Sequence, residues 1–334
     1  MKKTEVTLKK TCTFLLFVVS VWGLLVPYSH GQAYPTKSIE MIVPYGPGAP
    51  MDIMSRLVAE TAPKYLGQPL VVVNKIGAGG ALGAAEVIGA KPDGYKLVCL
   101  TTVFFALTTK TQKIPFDPNQ LSPLANFIEY KSGLVVRGDS PWRSFNEMLD
   151  YAKKNPGKLR WAHSGRGIQE HIAGLSIFKK ARVETLDIPY TGGVPTKVVA
   201  LLGGHIDASM MTYGTIKDHV KAGKMRFVAV INDRRYSDSD LINVPTVVEL
   251  GFPETATLKV YSGFFVHKDT PGEIKKFLVD TFKKIYEDPE FKKVFEALGD
   301  EPVYGKPEFV KDAIEKAEGV SVPLLKELGL LVGK

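Results

Sequence analysis

The stretch SIEMIVPYGPGAPMDIMSRL, residues 38–57, places three local patterns side by side. An apolar run comes first and predicts a buried strand. A loop of glycine and proline follows, and an amphipathic pattern then predicts a helix that begins near Asp52, its N-cap. A strand, a glycine-rich loop and a helix in this order are typical of an α/β protein. Such a loop is either a plain connection or a place where the backbone approaches a ligand closely.

The same alternation continues along the chain. Helical patterns lie at 52–67, 80–94, 144–157, 169–183 and 195–207, and a helical pair broken by DPE follows at 272–299. The strands are predicted by the apolar runs SIEMIVP, PLVVVN, YKLVCLTT, SGLVVR, RFVAVI and SGFFVH. Alternating strands and helices predict an α/β fold with mainly parallel sheets.

Two long extended runs, at 126–137 and 257–266, have little helical pattern around them. If the first run leaves one domain and the second returns to it, the chain forms two domains, one of them discontinuous, with a hinge between them. We therefore predict one lobe from 34–134 with 257–334 and a second lobe from 135–256. The alternative is one continuous α/β domain with two long strands.

The first residues predict a signal peptide, residues 1–33. MKKTEVTLKK is a basic leader, TFLLFVVSVWGLLV is apolar but shorter than the roughly 20 residues of a spanning helix, and small residues follow. Cleavage after Gly31 and cleavage after Ala33 both fit this pattern. Cys12 has no lipobox, and its removal leaves Cys99 alone in an apolar run, where we expect a buried and inert thiol.

Composition and motifs exclude several classes of function. The formal net charge of +8 falls to +5 without the predicted signal, and no dense basic run indicates a nucleic-acid partner. There is no G-x-S-x-G elbow and no H-E-x-x-H, so we expect no catalytic residue, no metal site and no cofactor. In KIGAGGALGAAEV, Leu82 stands where a dinucleotide motif needs its third glycine, which favours close helix packing over a nucleotide site.

Three strand–glycine loop–helix junctions point to one cleft, because ligands of such sheets sit outside the carboxyl ends of strands. The first loop is 45–52, the second is 164–168 and the third runs from Tyr190 to Pro195. In the second loop, Arg166 at a helix N-terminus would suit a carboxylate, although an exposed arginine in a loop is the plainer interpretation.

Four stretches carry a family resemblance: YPTKSIEMIVPYGPGAPMDIMSRLVAE, LGQPLVVVNKIGAGGALGAAEVIGAKPDGYKL, NPGKLRWAHSGRG and YTGGVPTKVVALLGGHIDASM. In this order they resemble the tripartite tricarboxylate transporter substrate-binding proteins, the Bug or TctC-like family, from Tyr34 to about residue 320. The resemblance implies a type 2 periplasmic-binding-protein fold, with two α/β lobes joined by two crossover strands that close over a small carboxylate. It also implies a periplasmic monomer that delivers its ligand to a membrane partner of one large and one small subunit.

The resemblance implies a cleft whose lining residues are Tyr45, Gly46, Pro47, Gly48, Met51, Asp52, Thr101, Thr102, Phe104, Ser164, Arg166, Ile168, Tyr190, Thr191, Gly192, Gly193 and Pro195. Several positions depart from the family in an apolar direction, among them Met51, Phe104 and Ile168. They predict a carboxylate with an aromatic or otherwise apolar body, rather than citrate, with its charge facing Arg166. The alternative is that Phe104 or Phe105 points into the core.

Three classes of function remain open on the sequence. The first is a transport receptor for a small carboxylate. The second is a periplasmic sensor module whose closed form a membrane kinase reads. The third is an enzyme on the same two-lobe scaffold, which the missing acid, base and nucleophile make less well supported.

Overall fold

The computed structural model describes residues 34–190, 193–295 and 298–332. The chain divides into two compact units, Met1–Thr36 and Lys37–Lys334, and every element below belongs to the second. The predicted signal peptide lies outside the described residues. Within the described part of the chain, no helix combines the length and the hydrophobicity that crossing a membrane requires.

The first sheet has six strands in the order β11-β4-β10-β3-β1-β2. Their bounds are β1 Ile39–Val43, β2 Leu70–Asn74, β3 Lys96–Thr101, β4 Leu121–Tyr130, β10 Val260–His267 and β11 Glu301–Gly305. β1 pairs in parallel with β2 and β3, whereas β10 runs antiparallel to β3 and β4. β1, β2, β3 and β10 correspond to runs that the sequence analysis predicted as strands.

The second sheet has five strands in the order β7-β6-β8-β5-β9. Their bounds are β5 Ser132–Arg137, β6 Arg160–His163, β7 Leu186–Pro189, β8 Ala208–Thr212 and β9 Met225–Val230. β6 is parallel to β7 and β8, but β5 is antiparallel to β8 and β9. Both sheets are therefore mixed, and the prediction of mainly parallel sheets was wrong because the strands next to each crossing run against their neighbours.

Most helices follow the predicted patterns, whereas those at 109–111, 213–221 and 307–327 were not predicted. Their bounds are α1 Pro50–Thr61, α2 Pro63–Leu66, α3 Ala81–Ile88, α4 Thr109–Thr111, α5 Phe145–Lys154, α6 Gln169–Lys180, α7 Val194–Leu202, α8 Tyr213–Lys221, α9 Gly272–Glu287, α10 Pro289–Phe295 and α11 Pro307–Glu327. α1, α3, α9 and α11 pack against the first sheet, and α6, α7 and α8 pack against the second. The break between α9 and α10 falls at the predicted DPE.

The chain passes between the sheets twice, and this gives the molecule its two lobes. A single residue, Lys131, separates β4 of the first sheet from β5 of the second. The return follows β9 and passes through a 3-10 helix, Pro253–Leu258, before β10. The first lobe holds strands from both ends of the described chain, while the second holds only strands between residues 132 and 230. The predicted lobe boundaries remain a prediction.

Two smaller predictions concern packing, and the structure confirms both. Cys99 is fully buried and is not in a disulfide, and burial raises the pKa of its thiol to about 12. A Cβ added at Gly83, in α3, would lie 2.9 Å from Cβ of Pro44, so the glycine lets this helix approach the loop after β1 closely. The glycine-rich stretch 75–87 thus serves helix packing.

Candidate ligand-binding site

A cavity of about 320 Å³ lies between the two lobes. The first lobe lines it with Tyr45, Met51, Thr101, Leu107, Thr108 and Tyr130. The second lobe lines it with Ile168, Gln169, Glu170, Val194, Thr212 and Thr215. Its volume is at the lower end of the range for small-molecule sites, and its walls are mainly apolar with a few polar groups.

A larger cavity, of about 660 Å³, is lined by residues at the opposite end of the strands of the first sheet. It is bordered by Lys96, at the start of β3, and by Glu40 and Glu86, with which Lys96 forms ion pairs of 3.2 and 2.6 Å. Because these strands present their amino ends here, and ligands of such folds sit at carboxyl ends, we take the cavity between the lobes as the site.

The first predicted loop lies at the cavity, but Asp52 has a different role from the expected one. Helix α1 starts at Pro50 with Ala49 as its N-cap, so Asp52 stands inside the first turn. Its carboxylate accepts hydrogen bonds from Gly48 N at 2.9 Å and from Asn74 Nδ2 at 2.7 Å. Although burial alone would raise it, bonds from Arg56, Asn74 and Gly48 hold the pKa of Asp52 below its ordinary value. Asp52 therefore stabilises the conformation of this loop through these hydrogen bonds.

The remaining residues of this loop divide between cavity and surface. Tyr45 and Met51 line the cavity, and Ala49 and Pro50 line it beside them. Gly46 is half-buried but not in the lining, and Pro47 and Gly48 are exposed. The loop thus contributes one aromatic ring, one thioether and backbone at the start of α1.

Two tyrosines bring buried hydroxyl groups to the first lobe's side of the cavity. Burial raises the pKa of Tyr45 to about 12 and that of Tyr130 well above its ordinary value. The hydroxyl of Tyr130 is buried and has no hydrogen-bond partner among the described residues. A buried hydroxyl without a partner costs stability, and because Tyr130 lines the cavity its hydroxyl is a candidate hydrogen-bond donor to a ligand.

The structure places Phe104 in the core of the first lobe, and this corrects the prediction that it lines the cleft. Residues Phe104–Thr108 form a π-helical turn after β3, and Phe104 is 1% exposed. Its ring lies 5.2 Å from that of Phe105, which in turn contacts Phe265. Leu107 and Thr108 of the same turn line the cavity instead, together with Val103.

Thr101 and Thr102 take opposite directions at the end of β3. Thr101 lines the cavity as predicted, whereas Thr102 is 1% exposed and its Oγ1 accepts a bond of 3.3 Å from Tyr261 N. β3 ends at Thr101 and Thr102 begins the helical segment that follows, so the two side chains point in different directions and only Thr101 meets the cavity.

The second predicted loop brings Ile168, but not Arg166, to the cavity. Ile168 is the N-cap of α6 and part of the lining. The side chain of Arg166 is 61% exposed, and its Nη2 lies 3.2 Å from Asp187 Oδ2. Ser164 uses its backbone N–H, which donates to Glu170 Oε2 at 2.7 Å. The carboxylate clamp predicted from Arg166 therefore does not form in this arrangement.

Glu170 and Lys197 form a buried ion pair that the sequence analysis did not identify. Lys197 is fully buried, and its Nζ donates to Glu170 Oε2 at 2.6 Å and to Met210 O at 2.8 Å. Burial lowers the pKa of Lys197, and the charge of Glu170 opposes that shift. Among the described residues that line the cavity, Glu170 alone carries a charge. A lysine in an amphipathic helix pattern gave no signal, because lysines usually face solvent.

His163, His171 and Asp187 come together behind the second loop, although their spacing in the sequence gave no metal signature. One ligand atom from each lies within 4.8 Å of the others. His171 Nδ1 accepts a bond of 3.0 Å from Gly167 N, so its Nε2 carries the hydrogen and faces Asp187. That hydrogen occupies the lone-pair direction a metal would need. In this arrangement the trio is better suited to holding the loop than to holding a metal.

The third predicted loop is only partly within the described structure. Thr191 and Gly192 lie outside the described residues. Tyr190 donates its N–H to His163 O at 2.8 Å, which fixes the loop to the end of β6. Gly193, with φ of 75°, is the N-cap of α7. Pro195 is exposed, and the neighbouring Val194 lines the cavity in its place.

The comparisons with known proteins identify the type of molecule. A family model described as "TctC: Tripartite tricarboxylate transporter family receptor" matches residues 54–330. The chain belongs to this receptor family. The TctC receptor described here is 31% identical to protein BugT of Bordetella pertussis, over 92% of this chain and 96% of BugT. Its predicted family is thereby confirmed.

Solved structures of similar chains confirm the two-lobe fold of this TctC receptor. A structure named as a periplasmic transporter is 32% identical, with a TM-score of 0.77 over 90% of this chain and 99% of the other. A TctC solute-binding protein from Polaromonas is 29% identical, with a TM-score of 0.74 over 88% and 99% of the two chains. These relatives are named as binding or transport proteins, not as enzymes.

Proposed function

We propose that this receptor captures a small carboxylate with an apolar body in the periplasm and delivers it to a tripartite tricarboxylate-type membrane transporter. Residues 1–33 would direct export and then be removed. The membrane partner would have one large and one small subunit. The receptor would work as a monomer, would need no cofactor and would catalyse no reaction. The observation that carries this proposal is the cavity between the lobes, with its apolar walls and the partnerless hydroxyl of Tyr130.

The polar groups of the cavity suit one carboxylate. The Tyr130 hydroxyl and the Thr101 hydroxyl are candidate donors. The backbone N–H of Met51, in the first turn of α1, is a third, since Pro50 has no N–H and Ala49 N donates to Gly46 O at 3.0 Å. No lysine or arginine occurs among the described lining residues, so the charge would be met by dipoles rather than by a cation.

The apolar walls favour a ligand with little further charge. Met51, Val103, Leu107, Ile168, Val194 and Val260 line the cavity. Burying apolar ligand surface against them contributes about 25 cal/mol per Å². Each extra carboxylate left without partners would cost more than the roughly 1–3 kcal/mol of an unpaired neutral polar group, so a tricarboxylate such as citrate is disfavoured.

The test is calorimetric titration of the protein from residue 34 with benzoate, adipate, citrate and glutamate. We expect benzoate to bind more tightly than citrate. Tyr130→Phe should weaken benzoate binding about tenfold, since it removes one hydrogen bond to a charged group, and should leave the unliganded fold at least as stable.

Tyr304→Phe is the matched control. The Tyr304 hydroxyl is also buried and without a partner among the described residues, but it lies in β11 and not in the cavity lining. It should leave affinity unchanged. Equal losses in both variants, or tight binding of citrate alone, would refute this choice of ligand. The family's description as transporter receptors favours transport over the sensor alternative.

A further inference from the structure

The second lobe's half of the cavity offers few polar groups that remain available to a ligand. Gln169 donates its Nε2 to Leu258 O at 3.1 Å. Thr212 and Thr215 share a hydrogen bond of 3.0 Å through their Oγ1 atoms. Glu170 remains, and its position is fixed by the buried Lys197. A polar atom that the protein holds in place but does not use is the best candidate for recognition.

The two carboxylate oxygens of Glu170 differ in their partners. Oε2 accepts from Ser164 N at 2.7 Å and from Lys197 Nζ at 2.6 Å. Oε1 accepts no hydrogen bond from the residues that the structure describes. The Glu170 side chain is only 16% exposed, so bulk water reaches it sparingly. Oε1 is therefore an acceptor that needs a donor from whatever fills the cavity.

We propose that Glu170 recognises a neutral hydrogen-bond donor, a hydroxyl or an amide N–H, on the end of the ligand away from its carboxylate. This inference rests on the proposed function and narrows it to hydroxy- or amido-substituted carboxylic acids with an apolar middle. Tyr130 in the first lobe supplies a donor, and Glu170 in the second lobe supplies an acceptor. A ligand of this kind contacts both lobes and holds them together.

The charge of the ion pair decides between a neutral donor and an ammonium group. Lys197 neutralises Glu170 at 2.6 Å, so the pair does not repel an anionic ligand strongly. An ammonium group on the ligand would place a second cation on a carboxylate that already holds one, in a site of low polarity. A hydroxyl or amide donor carries no such penalty and still forms a charge-assisted hydrogen bond.

A structural role is the competing explanation. Glu170 could serve only to hold the Ser164 N–H and the Lys197 ammonium in place. In that case its removal would weaken the binding of all ligands alike. Recognition predicts instead a loss of discrimination between ligands that differ by one donor, and the two explanations therefore give different results.

The experiment compares benzoate, 3-hydroxybenzoate, 4-hydroxybenzoate and 4-(aminomethyl)benzoate by calorimetric titration of the wild-type protein. We expect at least one hydroxy isomer to bind about tenfold or more tightly than benzoate, the effect of one hydrogen bond to a charged acceptor. The ammonium compound should not exceed benzoate. If neither hydroxy isomer exceeds benzoate, or if the ammonium compound binds best, the inference is wrong while the carboxylate receptor stands.

Two double variants complete the test. Glu170→Met with Lys197→Met replaces both partners of the buried pair by apolar side chains of similar size, a change that buried pairs often tolerate. The ratio of its affinities for the hydroxy compound and for benzoate should fall to about one, whatever the change in benzoate affinity itself. Lys180→Met with Glu254→Met removes an exposed pair of 2.6 Å outside the cavity and should keep that preference.

The outcomes separate the two proposals. A preference that survives in Glu170→Met with Lys197→Met overturns the role of Glu170. If that variant does not fold, the wild-type comparison of donor-bearing and donor-free benzoates still decides the question. If no benzoate and no aliphatic carboxylate binds the wild-type protein, the proposed function fails together with this inference.

Discussion

At the scale of single residues, His171 is a titratable group near the site whose pKa is strongly lowered. It is 1% exposed and its ring stacks on Trp161, with the ring centroids 6.3 Å apart. Burial, aided by the nearby His163, lowers the pKa of His171 from 6.5 to about 4. The cluster it forms with His163 and Asp187 supports the loop that carries Ile168.

This shift predicts a loss of stability in mild acid. The unfolded chain binds a proton at His171 below about pH 6.5, while the folded protein resists it until about pH 4. Stability is therefore fully present above pH 6.5 and falls as the pH drops toward 4, by about 3 kcal/mol from this residue. The measurement is urea unfolding of wild type and His171→Gln at pH 7, 6, 5 and 4.5.

The difference between the two proteins isolates His171 from other titrating groups. We expect the stability advantage of wild type over His171→Gln to shrink steadily from pH 7 to pH 4.5. A constant difference over this range would show that the imidazole charges as easily in the folded protein as in the unfolded chain. Gly319→Ala, which removes no titratable group and leaves His171 in place, serves as the control and should retain the wild-type pH dependence.

Single residues also show what the sequence could and could not predict about the site. Tyr45, Met51, Thr101 and Ile168 line the cavity, as the family resemblance implied. All except Thr101 also lie at glycine-rich loops, which are local signals. Phe104 was misplaced because the direction of a side chain depends on the π-helical turn, which no pattern of apolar residues announces. Glu170 is held at the cavity by its bond to Lys197, which lies 27 residues further along the chain. A single sequence does not show such a contact.

At the scale of elements, helix α6 approaches the second sheet unusually closely. A Cβ added at Gly174 would lie 2.3 Å from Cζ3 and 2.4 Å from Cη2 of Trp161, whose side chain is fully buried. The indole cannot move aside easily, because it lies in the core of this lobe among Phe178 and other apolar residues. The glycine is thus a packing requirement in the middle of a helix.

Replacing this glycine should reverse the ordinary effect of alanine in a helix. Alanine is favoured over glycine there by about 1 kcal/mol. Overpacking against Trp161 costs roughly 1–3 kcal/mol, so Gly174→Ala should destabilise the protein overall. Gly319→Ala, in α11, meets nothing within 4 Å and should stabilise by up to about 1 kcal/mol.

Thermal and urea unfolding of both alanine variants decide the prediction. If Gly174→Ala proves as stable as Gly319→Ala, the helix can shift away from the sheet without loss. The near-ultraviolet dichroism of the tryptophans should change only in Gly174→Ala, because only that substitution presses on an indole.

The elements that the sequence did not identify have weak local signals. β7 is short and mostly exposed, so it lacks an apolar run. α11 contains Gly319 and Pro323, which interrupt a helical pattern. Neighbouring contacts, rather than intrinsic preference, hold these segments in their conformations. The long apolar runs and the paired helices α9 and α10, by contrast, were predicted because their periodicity is strong.

At the scale of the whole molecule, Lys131 joins the lobes where the chain first crosses between them. Its side chain is 5% exposed, and its Nζ lies 2.7 Å from Asp238 Oδ2 and 3.2 Å from Glu301 Oε2. Asp238 follows the last strand of the second sheet, and Glu301 begins β11 of the first. One buried cation therefore binds a carboxylate from each side of the crossing.

Removing this cation should weaken the whole fold. Lys131→Met leaves two neighbouring carboxylates that are only about a quarter exposed, and we expect a loss of roughly 1–3 kcal/mol. Lys316→Met, which removes an exposed partner of Asp312 within one helix, should cost less than about 0.5 kcal/mol. Urea unfolding of the two variants provides the comparison, and equal losses would mean that the crossing does not depend on Lys131.

The arrangement of strands also determines the order in which parts of the molecule can fold as the chain is synthesised. Among the strands that the structure describes, β4 pairs only with β10 and β11, both from the last third of the chain, so it must wait for residues 260–305 before it gains a neighbour. The second sheet needs nothing beyond residue 230. The newly made chain therefore exposes an unpaired edge of its first lobe for some time after the strands of its second sheet are complete, and this interval is when the protein is most open to aggregation.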